Sequence, residues 1–564
     1  MVNRGRSGGC LTCKQRRVKC DEAKPECRSC QSLRLSCGGY DRKPVRLRFR
    51  DQNHKFAGAH GRHPPEATVP FPRPLAEPDT AVPFFLWHYA SIGRDMQSAR
   101  GFFEMLVPVY SSQRQTSALS LAVSAVASEI LSLWRHRTDS FRSPRKSYAR
   151  AVSCLRRAIQ DRTERSKPAT VFAVLTLQLY ENMAAVYGLR AATRIHQNGA
   201  ASLLAFTDMN HVDGIIHEYV QRFMLHTEIA AAMRQKRPLR TIAYSWVGNK
   251  DLTVAPDNPS SVLDAIGMCV AEIQTKYVGL SIQDNSAPSS HRALRELMEE
   301  VKRVDEQLLA WARSVPCHWN PPRLESGQDI DLSIPTYQSV CEVYPSCPVA
   351  NLWNLWRFQR FVLVKITLAS LNTILSYSHF ALAEDRILGE IDELFNCEGT
   401  IQELVDSVCY SIPFYLGNRT KRSGIADFTD PEILLPSCTP LPSDDESGLE
   451  NQSTGFKTQR DEHRRHIIAQ GPWHAMNPLS RLLTLLSEDH GQLITSFLRP
   501  GQPEWIREQF LRVTTLLHLP SVKPSDYTEV GGTWNWSAER PADTDDDYYL
   551  RKGVRQGAIF VGSP

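Results

Sequence analysis

Hydrophobic and polar positions divide this chain into a short cysteine-rich head, a proline-punctuated stretch and a long region of helical periodicity. From about residue 84 onward, apolar residues recur at three- and four-residue intervals, the period of an amphipathic helix. Ala118–Trp134, Ser147–Gln160 and Thr170–Tyr187 each predict a helix with a wide apolar face. In Ala293–Val315 the apolar positions are Leu294, Leu297, Val301, Val304, Leu308, Trp311 and Val315. That 3-4 alternation has coiled-coil spacing over three heptads, and we read it as a long core helix of the bundle. No strand-turn-strand alternation is sustained, so the body is expected to be all-α from residue 84 to 519. Residues 51–83, with prolines from Pro64 to Pro83, predict a semi-stiff linker without helix, and no heptad pattern follows it.

Two further segments interrupt the periodic pattern. Residues 421–461 are polar and rich in Ser and Asp, and read as an exposed excursion. Residues 520–564 set Trp534, Trp536, Tyr548 and Tyr549 beside Asp543 and Asp545–Asp547, the composition of a disordered acidic and aromatic tail.

Charge sharpens the division between head and body. The chain carries a net +5, yet residues 1–50 alone hold fourteen Lys/Arg against four Asp/Glu, which leaves the remainder net acidic. A basic module on a mildly acidic body points to a polyanion-binding head with a separate interaction body. The opening MVNRGRSGG is basic with no apolar stretch behind it, unlike a secretory signal. The most apolar candidate for a membrane span, Phe361–Leu371, holds Lys365 and is well short of the ~20 residues needed. The expectation is an intracellular protein with no membrane partner.

Six of the fourteen cysteines fall between Cys10 and Cys37, as Cys-x2-Cys-x6-Cys written twice. Dense, regular cysteines without an export signal argue for metal, and scattered ones such as Cys341 and Cys347 for buried thiols. Zinc takes four ligands in a tetrahedron and favours thiolates. One zinc would leave two of the six sulfurs unused. Two would need eight ligands, and the first histidine in the chain is His54. Six sulfurs complete two tetrahedra only if two of them bridge. The repeat nominates the first cysteine of each half, Cys10 and Cys27, with Cys13 and Cys20 completing one site and Cys30 and Cys37 the other. So short a segment cannot bury enough apolar surface to fold alone, and the metal would supply the folding free energy.

The spacing Cys10-x2-Cys13-x6-Cys20-x6-Cys27-x2-Cys30-x6-Cys37, with a basic run after the second cysteine and Pro25 late in the central loop, resembles the fungal Zn2Cys6 binuclear cluster transcription factors. A looser likeness to that family's helical regulatory region lies in His196–Ala200 with Leu203 and Leu204, in Glu403–Gly417 and in Pro503–Phe510. The resemblance implies a small Zn2Cys6 DNA-binding domain of two short helices in residues 1–50, followed by a large all-α regulatory domain. It also implies nuclear localisation and control of genes transcribed by RNA polymerase II. Double-stranded DNA is the implied partner, together with the transcription machinery and either a second copy or another transcription factor. Members of the family regulate nutrient use, drug and stress responses, and secondary-metabolite clusters.

The two halves differ in charge. A short helix beginning near Cys13 would carry Lys14, Arg16, Arg17 and Lys19 with Val18 turned inward, and such a helix fits the major groove. The family resemblance implies that Arg17, with Arg16 beside it, reads a G·C-rich, CGG-like triplet. Lys14, Lys19, Arg28 and Arg34 are expected on phosphates, and so are Arg42 and Lys43 of the basic tail. In the second half Leu33 and Leu35 are expected to pack the module against itself. Between Cys10 and Cys37 there is no Phe, Tyr, Trp or His, the residues on which single-stranded RNA bases stack. His-Glu-x-x-His, Walker and Gly-x-Gly-x-x-Gly motifs are absent, and His463-x-x-His466 lacks carboxylate support, so no enzyme is expected.

Overall fold

The computed structural model describes residues 9–40, 80–90, 98, 101–135, 142–187, 193–206, 211–246, 258–282, 288–377, 384–436, 450–487 and 491–519. The chain divides into two compact units, Met1–Ala76 and Glu77–Pro564. The expected basic tail, almost all of the expected linker and the acidic tail lie outside the described residues.

The N-terminal unit holds two short helices, α1 (Leu11–Gln15) and α2 (Arg28–Gln31), each beginning directly after a cysteine. The second unit is mostly helical. It opens with α3 (Ala81–Phe85), a π turn (Leu86–Ala90), α4 (Phe102–Ser111), α5 (Ala118–Trp134), α6 (Arg142–Gln160) and α7 (Arg162–Arg165). Then come α8 (Pro168–Val186), α9 (Ile195–Leu204), α10 (His211–Gln235), α11 (Thr241–Ser245), α12 (Pro259–Ser281) and α13 (Pro288–Ser314). After a β-hairpin follow α14 (Cys347–Tyr377), α15 (Glu384–Leu416), α16 (Glu450–Ser487), α17 (Gly491–Ser496) and α18 (Gln502–Leu516).

The three helices predicted first coincide with α5, α6 and α8 to within a few residues. Helix α5 starts where the Ser117 side chain accepts from the Ser120 N–H, a cap for an otherwise orphaned donor. In α8 every residue from Ala169 to Val186 is buried, because α5, α6 and α9 surround it. By length and composition α8 and α14 could each cross a bilayer; here both are packed within the helical core. The 3-4 stripe of α13 is buried from Leu294 to Val315 against α12 and α14 of the same chain, and Trp311 donates to the Pro259 carbonyl at 2.7 Å. It is a core helix.

Three expectations are corrected. Helix α3 begins at Ala81, inside the expected linker, and Pro83 fits because first-turn N–H groups have no helical acceptor to lose. A two-stranded antiparallel hairpin, β1 (Arg323–Glu325) and β2 (Val340–Glu342), joins α13 to α14. Its strands are three residues each, too short for alternation to register in the sequence. Finally, the described part of the expected excursion, 421–436, is exposed at half its positions but anchored by buried Ser423, Ile433 and Pro436, and 437–449 lie outside the described residues. Phe428 lies 4.9 Å from the Trp134 ring and 4.1 Å from His88, and α16 begins at Glu450.

Two polar devices hold the core in register. Buried Glu342 of the hairpin accepts from Arg357 and, at 2.7 Å, from the Tyr344 hydroxyl, with Ser407 at 3.0 Å on its other oxygen. Pro472 has no N–H, so α16 leaves the Ile468 carbonyl without its helical donor. Arg419 supplies one at 3.0 Å and reaches the Tyr415 and Ile467 carbonyls at 3.2 Å. Beside this kink, a Cβ on Gly471 would collide with the Tyr415 carbonyl, so α15 and α16 meet backbone to backbone.

Candidate metal centre and nucleic-acid interface

The six N-terminal sulfurs form two groups of four, Cys10/Cys13/Cys20/Cys27 and Cys10/Cys27/Cys30/Cys37, each lying within 4.8 Å of one another. Cys10 and Cys27 are common to both, the pair nominated by the sequence repeat. A tetrahedron with Zn–S bonds of about 2.3 Å has sulfurs about 3.8 Å apart. The observed separations are 3.6 Å for Cys10–Cys27, 3.7 Å for Cys13–Cys27 and 3.8 Å for Cys10–Cys30. The donor set therefore fits the metal in both chemistry and spacing.

The backbone around the sulfurs repeats as faithfully as the cysteines. Cys10 and Cys27 are the N-cap residues of α1 and α2. Each helix then closes in a Schellman turn. Val18 and Leu35 donate to the carbonyls of Cys13 and Cys30, while Arg17 and Arg34 donate to those of Lys14 and Gln31. The turn requires a left-handed residue, and an arginine fills that place in both halves, at φ 56° for Arg17 and 51° for Arg34. Backbone N–H groups also reach the sulfurs: Cys13 to Cys10 at 3.3 Å, and Glu22 to Cys20 at 3.4 Å. N–H donation from Cys10 and Glu22 holds the Cys20 thiol down to about 7, whereas burial among the other sulfurs pushes Cys13 up to about 12.

Asp21 ties the halves together. Its carboxylate accepts from the Arg28 and Ser29 N–H groups, capping α2 from outside. Burial opposes its ionisation, but these two donors outweigh it and its pKa falls. The C-terminal strap closes over α1 through Leu11 N–H to the Gly39 carbonyl at 2.9 Å and Gly38 N–H to Thr12 Oγ1 at 2.9 Å.

Lys14, Arg16, Arg17 and Lys19 are all exposed, and none makes an ion pair among the described residues. Their setting differs from expectation. Helix α1 begins at Leu11 and ends at Gln15, so only Lys14 is helical; Arg16 is the C-cap and Arg17 lies in the turn beyond. Val18 is 44% exposed, so it is not turned inward. Leu33 and Leu35, at 54% and 40%, are exposed as well and do not pack the module. The reason is common to all three: the buried centre is sulfur, and the short halves wrapped around it leave no room for further side chains. Arg28 and Arg34 are exposed on the second half, with Arg28 beside the Asp21 carboxylate. Arg42 and Lys43 lie outside the described residues.

Residues 8–47 match the fungal Zn(2)-Cys(6) binuclear cluster domain. That domain binds two zinc ions, and the sulfur geometry above accommodates them. Among curated proteins, the head is 62% identical over 37 residues to pestheic acid cluster transcriptional regulator 3 of Pestalotiopsis fici, covering 7% of this chain and 7% of that protein. It is 62% identical over 37 residues to the aspercryptin biosynthesis cluster-specific transcription regulator of Emericella nidulans, or 6% of each chain. White-opaque regulator 2 of Candida albicans is 46% identical over 54 residues, 9% of this chain and 12% of its own. The likeness to these relatives thus spans about an eighth of their length or less. No solved structure matches the chain.

Proposed function

We propose that the chain is a zinc-dependent, sequence-specific DNA-binding transcription factor that acts in the nucleus on genes transcribed by RNA polymerase II. The observation that carries this reading is the asymmetry laid over the metal's twofold repeat. Lys14, Arg16, Arg17 and Lys19 stand unpaired and exposed on one half, and the other half carries little free positive charge. In this reading Cys10 and Cys27 bridge two zincs, Cys13 and Cys20 complete the first site, and Cys30 and Cys37 the second. Arg17, with Arg16, donates to O6 and N7 of guanine in a CGG-like triplet, while Lys14, Lys19, Arg28, Arg34, Arg42 and Lys43 grip phosphates.

A single module of this size covers only ~600–1,000 Å² of protein surface on DNA. A second copy or a partner transcription factor therefore extends the address, and the helical domain is the regulatory body that meets the transcription machinery. The test is selection of bound duplexes from a random pool by the zinc-loaded chain, with single-stranded RNA as competitor. Enrichment of a G·C-rich triplet that RNA does not displace is the expected result; no enriched sequence, or equal displacement by RNA, overturns the reading.

Two of the relatives are named for biosynthetic clusters, which supports pathway-specific control of a secondary-metabolite gene cluster. Genome-wide mapping of bound sites checks this: sites concentrated at the promoters of contiguous biosynthetic genes are expected, and sites dispersed over unrelated genes refute it.

A further inference from the structure

The helical body contains a cavity of about 260 Å³, with space for roughly nine waters at their liquid volume. It is partly open to the surface and lined mainly by apolar side chains with a few polar groups among them, the make-up of a small-molecule site. Phe102, Trp134, Phe223, Phe358, Phe361 and Trp473 are among the aromatic side chains of the wall. Polar residues such as Glu104, Arg357 and Ser423 also line it, and one polar strip lies on a single helix. Helix α16 places Gln470, His474, Asn477 and Arg481 on the cavity, spaced four, three and four residues apart and so on a single helical face. A core helix that turns a polar stripe inward works against burial unless those groups find partners.

The partners define what the wall can offer. The Tyr415 hydroxyl donates to Asn351 Oδ1 at 3.0 Å, which orients the Asn351 amide so that Nδ2 donates to His474 Nδ1 at 2.8 Å. His474 then carries its proton on Nε2 and donates to Gln470 Oε1 at 3.2 Å. Gln470 Nε2 donates to the carbonyls of His88 and Tyr89, at 3.2 and 3.1 Å. Arg481 Nε donates to Asn477 Oδ1 at 2.9 Å, and its guanidinium lies 4.0 Å over the Phe358 ring. The acceptors of Asn351, Gln470, His474 and Asn477 are therefore all engaged. Among these side chains what remains is a donor, Asn477 Nδ2, beside the Arg481 guanidinium and flat aromatic faces.

We propose that this cavity binds a small aromatic compound of about fifteen non-hydrogen atoms that presents a hydrogen-bond-accepting carbonyl oxygen. Its rings lie against Phe358 and Trp473, and its oxygen meets Asn477 Nδ2. Phe85 and Tyr89, from the segment by which the chain enters the body, form part of the same wall, and the Gln470 relay ends on that segment's carbonyls. An occupant thus braces the beginning of the helical domain. The inference goes beyond the DNA-binding reading and does not depend on it.

The probe is 4-hydroxybenzophenone, which has two rings, one carbonyl and photoreactivity, applied to the full-length zinc-loaded chain. Irradiation followed by peptide mapping is expected to give saturable labelling of α8, α14 and α16, around Met183, Phe358 and Trp473, and the probe is expected to raise the body's melting temperature. 4-Benzylphenol has the same shape without the carbonyl oxygen and is expected to bind about tenfold more weakly. Asn477→Leu should erase that difference between the two compounds, and Leu482→Trp, which fills the cavity, should abolish labelling. Asn477 is only half-buried, so its variant carries the test if the tryptophan variant fails to fold. Labelling that does not saturate, that spreads over surface peptides, or that survives Leu482→Trp in a folded protein overturns the proposal, as does equal affinity of the wild-type chain for both compounds.

Discussion

The head and the body solve the problem of a folded interior with opposite materials. In residues 9–40 the buried side chains are Cys10, Cys13, Cys27 and Cys30, while the large apolar residues Leu11, Val18, Leu33 and Leu35 are exposed. In the body, Leu, Val, Phe and Trp fill one continuous core, and its scattered cysteines, such as Cys341, Cys347 and Cys409, are ordinary buried thiols in that core. The difference teaches how the two regions answer to chemistry. The head's fold is tied to its metal and to pH-sensitive sulfur, whereas the body's is tied to volume and to satisfied polar groups.

Metal removal should separate the two regions most strongly. Structural zinc contributes about 10–16 kcal/mol of apparent binding free energy to small domains, more than this head could gain from apolar burial. A strong chelator is therefore expected to unfold the head and abolish duplex binding, while far-UV circular dichroism and the body's melting transition stay nearly unchanged. Cys10→Ser or Cys27→Ser should lose both zincs by native mass spectrometry, and Cys20→Ser only one; equal losses would break the bridging assignment.

Core truncation should do the reverse. Leu308 and Phe172 are fully buried, so Leu308→Ala or Phe172→Ala is expected to cost the body about 2–5 kcal/mol in denaturant titrations. Zinc content and affinity for a cognate duplex should remain as in the wild type.

Acid should find the body through three histidines. Burial holds His88 and His463 down to about 4 and His466 to about 3, with Arg465 adding to the effect on His88 and His466. In the unfolded chain such residues titrate near ~6.5. Folding therefore favours the neutral form, and the stability this contributes is present above pH ~6.5 and is lost as pH falls toward 4. Melting curves from pH 7 to 4.5 should show the body's transition falling, and replacing His466 with Gln should flatten that dependence. A profile indifferent to His466 would count against the burial argument.

Arg17 tests the head on a smaller scale. Arg17→Ala is expected to lose ~1–3 kcal/mol on the cognate duplex and to relax sequence preference. Arg17→Gly should lose the same contact while keeping zinc affinity and fold, because glycine accepts the left-handed turn without strain. Smallest of all, Leu33→Ser should change head stability by no more than ~0.5 kcal/mol, since the side chain is exposed. A large loss there would mean that the leucine packs against something.

Legibility followed the range of the interactions. Cysteine spacing carried the metal centre because ligand number and tetrahedral geometry leave six sulfurs few arrangements. Helices α5, α6, α8 and α13 were legible from apolar period alone. The hairpin was not, since its pairing joins residues far apart in sequence over three positions each. The C-terminal end of α1 was missed because its Schellman turn uses arginine where glycine is the usual signal. The cavity's polar stripe was missed because Gln470, His474, Asn477 and Arg481 look in sequence like a solvent-facing helix surface.

By itself, then, the sequence determined the class of metal centre, the charge imbalance between its two halves and the helical nature of the body, because each rests on local spacing and residue chemistry. The tertiary structure alone decided that Leu33 and Leu35 face water, that Arg419 fills the carbonyl freed by Pro472, and that the polar face of α16 lines a cavity. Those outcomes depend on which element packs against which. A chain's periodicity says that one face differs from the other, and only the packing says what each face meets.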